Sequence, residues 1–263
     1  MNDEIMNLDY SLIPMFNNAK VFPFHSVDST NEVAKELATR FIPEGSIVIS
    51  EMQLSGKGRR GRVWYSPPYR GLWFSVIIYP SVFPQELGKI TIAAGLSVMR
   101  AIRKLGVDGV WLKWPNDVMV GDKKLSGVLV EAGIEYDIVN YVVVGIGVNV
   151  NHGRDEIPQE LLNIMTSMRL SCGKEFLRAI VLSEILKNFR ELYLLVRSKR
   201  FHVIREMWEK ESGFVGKRVE VLSGNEKVSG IVEGLSDEGG LLIKDDNGLI
   251  REIWMGEVSK VRV

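Results

Sequence analysis

Hydrophobic residues recur along the chain at two different spacings, and the spacing separates helices from strands. Apolar residues three or four positions apart predict helices over residues 87–105, 174–196 and 201–210. Short runs of β-branched and aromatic residues predict strands, which cover residues 46–51, 72–79, 110–113, 127–132 and 141–149. Between the first two of these strands, the glycine-rich sequence predicts a long loop.

The pattern also predicts where the first helix begins. Ser29 and Glu32 have the spacing of a capping box, and the apolar residues after them recur at helical intervals. In a capping box, the first side chain binds a backbone amide in the first turn of the helix. We therefore expect Ser29 and Thr30 at a helix N-terminus.

The composition changes after Gly213. Five short β-like runs follow Lys217, and the turns between them contain Ser-Gly-Asn, Asp-Glu-Gly-Gly and Asp-Asn-Gly. Turns of this kind are typical of a small antiparallel barrel. We predict an N-terminal extension over residues 1–21, a larger domain over residues 22–213 and a small domain over residues 214–263.

Composition narrows the classes of function. The 263 residues include 33 lysines and arginines and 33 aspartates and glutamates, so the balanced charge disfavours a general nucleic-acid partner. The chain has no apolar run of about eighteen residues and no signal-peptide pattern, which predicts a soluble, cytoplasmic protein without a membrane partner. The single cysteine, Cys172, rules out an internal disulfide, and the three histidines lack zinc-site spacing. We assign Cys172 no role.

Residues 56–62 form a basic, glycine-rich segment with the sequence Gly-Lys-Gly-Arg-Arg-Gly-Arg. Its glycines allow the backbone to approach a ligand closely, and its guanidinium groups suit a phosphate or a carboxylate. Trp64 and Tyr65 follow directly and offer a surface on which a base or an apolar ring could stack. A solvated basic loop without a ligand is the alternative.

The same segment matches the dinucleotide-binding pattern G-x-G-x-x-G, but its context contradicts that interpretation. The pattern opens a helix, whereas here Val-Trp-Tyr-Ser-Pro-Pro follows and cannot do so. The chain also contains no P-loop sequence, G-x-x-x-x-G-K-[ST]. Any nucleotide must therefore be held by another architecture.

A second set of candidate residues lies in the segment Lys113-Trp114-Pro115-Asn116-Asp117. Pro115 stops strand pairing, so Lys113, Asn116 and Asp117 gather where the chain leaves a sheet. If the flanking strands form a hairpin, Asp117 is a near neighbour of Lys124, and a carboxylate and an ammonium share one site. An ordinary turn with a capping aspartate is the alternative.

Together these motifs resemble those of the biotin protein ligase family, over residues 22–263. The motifs are Ser29-Thr30-Asn31, Gln53, the 56–62 segment, Lys113 to Asp117, Lys124-Leu125-Ser126-Gly127 and Gly145-Ile146-Gly147-Val148-Asn149. The resemblance implies an α+β fold, in which a mixed sheet flanked by helices, related to class II aminoacyl-tRNA synthetases, precedes a small SH3-like barrel. Because only residues 1–21 come before the catalytic domain, it also implies a monofunctional ligase without the N-terminal DNA-binding domain of some members.

The activity implied by the resemblance is ATP-dependent activation of biotin to biotinyl-5′-AMP, followed by transfer of biotin to a lysine of a biotin carboxyl carrier protein. The carrier would belong to acetyl-CoA carboxylase or a related carboxylase. A carboxylate is a poor electrophile, so it must first become a mixed anhydride, and cations must offset its repulsion from the α-phosphate. Mg²⁺ would accompany ATP without a dedicated protein cage.

The resemblance also assigns candidate residues. Arg59, Lys124 and Asp117 are the expected catalytic residues, and Asp117 would act either on the metal or as a base. The residues expected to bind biotin are Ser29, Thr30, Asn31, Gln53, Lys57, Gly58, Arg59, Lys124 and Gly127. The residues expected to bind ATP are Arg59, Arg62, Trp64, Asn116, Asp117, Lys124 and Asn149. Lys57 stands where many members have arginine, so the charge is kept while the bidentate guanidinium contact is lost.

Two other interpretations stay open on the sequence. A lipoate ligase or octanoyl transferase would resemble the same fold and acylate a similar lysine, but the 56–62 segment argues against it. A non-catalytic module that binds nucleotides or nucleic acid through the basic loop is disfavoured by the zero net charge. We also expect a homodimer formed through a sheet edge.

Overall fold

The computed structural model describes residues 5–6, 16, 18–224 and 226–262, so most of the predicted 1–21 extension lies outside the described residues. The larger of the two sheets has seven strands in the order β1-β2-β3-β7-β6-β5-β4. The strands are β1 (Val21–Val27), β2 (Ile47–Gln53), β3 (Gly71–Ile78), β4 (Val110–Lys113), β5 (Asp117–Val120), β6 (Lys123–Glu135) and β7 (Ile138–Asn149). Because β1 and β2 are parallel and the other neighbours are antiparallel, the sheet is mixed.

Helices cover both faces of this sheet, because successive side chains of a strand point to opposite sides. On β2, Ile47 and Ile49 enter the main core, whereas Val48 joins a smaller cluster with Ala34 and Ala38. The helices are α1 (Thr30–Ala38), α2 (Leu87–Lys104), α3 (Met168–Cys172), α4 (Arg178–Arg197) and α5 (Phe201–Glu211). Helix α1 lies over the smaller cluster, and α2 and α4 pack together on the main core. The predicted mixed sheet flanked by helices is confirmed.

The first helix begins where the sequence predicted, but the capping box is wrong. Ser29 occupies the cap position, yet its side chain accepts no hydrogen bond from the first turn. Glu32 instead binds two lysines, with Oε1 2.7 Å from Lys35 Nζ and 2.6 Å from Lys57 Nζ. The carboxylate is therefore used for ion pairs, of which the one with Lys57 is not revealed by the local pattern. The Ser29 side chain lines a cavity instead.

Two further elements differ from the sequence pattern. Strand β1 was not predicted, because Pro23 interrupts the pattern; proline is tolerated there since β1 is an edge strand. Helix α4 begins at Arg178 rather than at residue 174. The preceding segment is held outside the helix by Asn151, which accepts a hydrogen bond from the backbone of Phe176 at 2.9 Å and donates one back at 2.8 Å.

The C-terminal residues form a second sheet, which is antiparallel as the turn chemistry predicted. Its strands are β8 (Arg218–Ser223), β9 (Glu226–Leu235), β10 (Leu241–Lys244), β11 (Ile250–Ile253) and β12 (Glu257–Arg262), in the order β11-β10-β9-β8-β12. Phe214 precedes the sheet and packs against Trp111 and Trp208, with ring centroids 6.0 and 6.1 Å apart. One hydrophobic core thus runs from the larger sheet into the smaller one. SH3-like closure and the division into domains stay predictions.

In the described residues, none of the helices combines the length and the apolar character needed to cross a bilayer.

Candidate active site

Two adjoining cavities lie where the start of α1, the 56–65 loop, the β4–β5 turn and strands β6 and β7 meet. The inner cavity has a volume of about 50 Å³ and the outer cavity one of about 420 Å³. All the residues expected to bind biotin line the inner cavity, and all those expected to bind ATP line the outer one. The residues shared by both walls are Gly58, Arg59, Trp64, Asn116 and Lys124. The structure thus brings the candidates together, while their individual roles stay predictions.

The polar end of the inner cavity is a preorganised set of hydrogen bonds. Gln53 Oε1 accepts from the backbone amide of Thr30 at 2.9 Å and from its hydroxyl at 3.2 Å. Gln53 Nε2 donates to Ser66 Oγ at 2.9 Å. Asn31 Oδ1 accepts from Ser75 Oγ at 2.6 Å, and Asn31 Nδ2 donates to Glu131 at 2.7 Å. Donors and acceptors held in this way suit a small neutral group with both hydrogen-bonding functions.

Trp64 lines both cavities. Its indole lies over a surface made by two glycines, since a Cβ on Gly147 would be 2.5 Å from Trp64 Nε1 and one on Gly127 would be 3.0 Å from its ring. Lys124 Nζ lies 5.0 Å from the centroid of the same ring. Trp64 Nε1 is buried and has no hydrogen-bond partner in the described part of the chain. With a volume of about 50 Å³, the inner cavity beside this indole has room for about one or two water molecules.

Cations meet at the junction of the two cavities. Lys124 Nζ forms an ion pair of 2.6 Å with Asp117 Oδ1, as the hairpin prediction required. Arg59 Nη1 donates to Asn116 Oδ1 at 2.9 Å, and Asn116 Nδ2 donates to the carbonyl oxygen of Val128 at 3.0 Å. Burial lowers the pKa of the Arg59 guanidinium from its usual value. The guanidinium nevertheless stays charged, so Arg59 and Lys124 place two positive charges at the junction. Such a site suits two anionic groups.

The basic loop is fixed by the C-terminal sheet as well as by α1. Arg62 forms an ion pair with Glu257, and Arg60 Nη1 lies 3.5 Å from the same carboxylate. Arg59 Nη2 donates to the carbonyl oxygen of Gly256 at 3.3 Å. The hydrogen bond from Arg62 holds the pKa of Glu257 below its usual range. The second sheet thereby forms one wall of the outer cavity.

Sequence reasoning missed several residues of the site. Ser66 and Ser75 orient the predicted residues Gln53 and Asn31, and Glu257 anchors the loop arginines. Their partners lie in other elements, and for Glu257 the separation from Arg62 is 195 residues. A single sequence carries no signal for pairing over such distances. Asn149, which was predicted, lines the outer cavity at the end of β7.

Comparisons with known proteins agree with this geometry. Residues 23–149 match the biotin/lipoate A/B protein ligase family, and residues 214–261 match the biotin protein ligase C-terminal domain. The bifunctional ligase/repressor BirA of Bacillus subtilis is 34% identical over 237 residues, which cover 90% of this chain and 73% of that protein. A biotin--[acetyl-CoA-carboxylase] ligase of Mycobacterium tuberculosis is 28% identical over 224 residues, covering 83% of this chain and 80% of that protein. A structure of biotin protein ligase from Aquifex aeolicus in complex with biotin and ATP is 35% identical, covers 94% of this chain and 99% of that one, and has a TM-score of 0.78.

Proposed function

Because this chain belongs to the biotin protein ligase family, we infer that it converts biotin and ATP to biotinyl-5′-AMP and then transfers biotin to a lysine of a biotin carboxyl carrier protein. One observation supports this most strongly. The two cavities meet at Arg59 and Lys124, so an acid in the inner cavity and a nucleotide in the outer one would react at a point already occupied by two cations.

In the first step, a carboxylate oxygen of biotin attacks the α-phosphorus of ATP, and the bond from that phosphorus to pyrophosphate breaks. Both reacting groups are anionic, so fixed positive charge at their meeting point lowers the barrier. Lys124 would bind the carboxylate and the transferring phosphoryl group. Arg59 would contact the same groups from the side of the basic loop. Removal of one preorganised charge-stabilising donor of this kind costs about 100- to 1000-fold in rate.

The inner cavity would receive biotin with its ureido group toward Thr30 and Gln53. A volume of about 50 Å³ is too small for a bicyclic acid, so binding requires the Trp64 indole to leave the surface of Gly127 and Gly147. The freed indole would then face the nucleotide, where it could stack on adenine. Biotin binding would in this way prepare the outer cavity for ATP.

In the second step, the amine of the acceptor lysine attacks the acyl carbon, AMP leaves, and the amine loses a proton. Asp117 is the carboxylate at the junction, but it is paired with Lys124 at 2.6 Å. If Lys124 turns toward the biotin carboxylate, Asp117 becomes free to accept the proton from the incoming amine or to bind metal.

Mg²⁺ would enter with ATP. Among the described residues, no three histidine, cysteine, aspartate or glutamate side chains are grouped where they could hold a metal ion. Asp117 at the outer cavity fits an ion that is held mainly by phosphate oxygens. When bound, the ion neutralises charge on the pyrophosphate leaving group.

The test is to mix the protein with ATP and Mg²⁺ and with either biotin or lipoate, in the absence of any acceptor. Pyrophosphate release and the intact mass of the bound acyl-AMP are followed together. We expect a burst near one equivalent with biotin only, because the adenylate stays enclosed. A burst with lipoate would assign the chain to lipoate ligation, and no burst with either acid would leave a binding module.

The remaining expectations are parts of the same proposal. The acceptor would be a carrier domain of acetyl-CoA carboxylase or a related carboxylase, and the protein would act in the cytoplasm as a homodimer, without nucleic acid. The edge strand β1 is one surface through which two copies could pair. Sedimentation of the purified protein measures the oligomeric state directly.

A further inference from the structure

Lys113 lines the outer cavity and carries a positive charge. It belongs to one of the motifs, but no role has been assigned to it in binding or in the proposed reaction. It is the last residue of β4, and its backbone pairs in register with Asp117, the first residue of β5. Residues opposite one another on antiparallel strands point to the same face, so both side chains face the outer cavity. The three residues of the intervening turn are Trp114, Pro115 and Asn116.

The Lys113 ammonium differs from the other cations of this cavity in having no partner. Lys124 pairs with Asp117, Arg59 donates to Asn116, and the carboxylate of Glu257 binds Arg60 and Arg62. Among the described residues, the ammonium of Lys113 makes no hydrogen bond and no ion pair.

Burial makes this absence costly. Desolvation lowers the pKa of Lys113 from its usual value, against the opposing effect of nearby Asp117 and Glu257. A partly buried charge without a hydrogen-bonded partner is unfavourable, and binding sites keep such groups where a ligand supplies the opposite charge. An anion that enters the outer cavity would supply the missing partner.

We propose that Lys113 binds the phosphate oxygens of ATP that depart as pyrophosphate. The proposal rests on the proposed function and adds a residue to it. The attacking and leaving oxygens lie roughly in line on opposite sides of the α-phosphorus. Because the attacking carboxylate comes from the inner cavity, pyrophosphate must leave on the far side of Lys124 and Arg59. Lys113 lines that side and does not line the inner cavity.

The role of Lys113 in the reaction is electrostatic. As the bond from the α-phosphorus to the bridging oxygen breaks, negative charge grows on the pyrophosphate, and a fixed ammonium stabilises it. No proton needs to move, so an arginine at this position should keep much of the effect while an uncharged side chain of similar length should lose it. The acyl transfer step, which has no pyrophosphate, should not depend on Lys113.

The experiment compares Lys113→Met and Lys113→Arg with Lys104→Met, a lysine at the end of α2 that pairs with Glu184 and lies outside both cavities. Each variant is first checked for a wild-type circular dichroism spectrum. Two half-reactions are then measured separately. One is single-turnover pyrophosphate release from ATP and biotin, and the other is transfer from synthetic biotinyl-5′-AMP to a biotin carboxyl carrier domain.

For Lys113→Met we expect about 100-fold slower pyrophosphate release, transfer within about threefold of wild type, and weaker inhibition by added pyrophosphate. Lys113→Arg should recover at least about tenfold of the loss, and Lys104→Met should match wild type. Equal losses in both half-reactions, or pyrophosphate release within about threefold of wild type, would overturn the proposal. If the wild-type protein releases no pyrophosphate with biotin, the proposed function itself fails, which is a separate result.

Discussion

His152 should make the protein less stable in mild acid, and the size of the effect follows from its surroundings. The side chain is 0% exposed, and its ring packs 6.3 Å from Tyr65 and 6.0 Å from Trp73. Neither ring nitrogen has a hydrogen-bond partner among the described residues. Since a buried imidazolium would be unpaired, burial lowers the pKa of His152 from 6.5 to about 4.

The sign follows from proton binding in the two states. Below pH 6.5 the unfolded chain binds a proton at His152, whereas the folded protein binds it only near pH 4. Stability is therefore retained above pH 6.5 and is lost as the pH falls between these values. Linkage gives a loss of about 2 kcal/mol between pH 7 and pH 5 from this one residue.

The assay is urea unfolding of wild type and His152→Phe at pH 7 and at pH 5. The variant keeps an aromatic ring and removes the titration, and the carboxylates contribute equally to both proteins. We expect wild type to lose about 2 kcal/mol more than the variant over this interval. Equal losses would refute the reasoning, because His152 would then bind its proton equally in both states. An imidazole NMR titration of the folded protein with a midpoint near its ordinary value would refute it as well.

Three further changes test the site and its support. Arg59→Gly should leave a folded enzyme that releases biotinyl-5′-AMP before transfer, because it removes one of the two cations at the junction. Intact-mass detection of adenylate still bound after gel filtration, at the wild-type level, would refute this. Glu257→Gln should break the ion pair with Arg62 and speed tryptic cleavage after Arg60 and Arg62. The control variant Glu226→Gln, on the same sheet, should be cleaved at the wild-type rate. Equal cleavage of both variants would show that the Glu257–Arg62 ion pair does not hold the loop. Arg178→Met should lower the free energy of unfolding in urea by about 3–5 kcal/mol, because it leaves buried Glu51 without its 2.6 Å partner. Adding Glu51→Gln should recover part of this loss. A loss below about 1 kcal/mol would contradict a stabilising role of the pair.

Local patterns predicted the elements that build the site, because the chemistry lies near the ends of strongly patterned strands. The Lys113 to Asp117 turn and the approach of Asp117 to Lys124 followed from a proline that ends one strand and a run that starts the next. The glycine-rich loop was predicted from composition alone. These features depend on neighbours within a few residues, which a single sequence displays.

The features that the sequence did not predict depend on distant partners. Ser29 and Glu32 have the spacing of a capping box, yet the Glu32 carboxylate pairs with Lys35 in the next turn of the helix and with Lys57, which lies 25 residues away in the basic loop. Strand β1 is interrupted by Pro23, and only its place at the sheet edge makes that proline acceptable. The contact between Glu257 and the loop arginines joins segments that no local rule connects.

The central claim is that the joined cavities activate biotin and deliver it to a carrier lysine. The most direct measurement is the intact mass of a biotin carboxyl carrier domain after incubation with this protein, ATP, Mg²⁺ and biotin. The account predicts a gain of one biotinyl group on one lysine that requires ATP, and no gain when lipoate replaces biotin. An unchanged carrier mass with biotin, or a lipoyl group added instead, would contradict it.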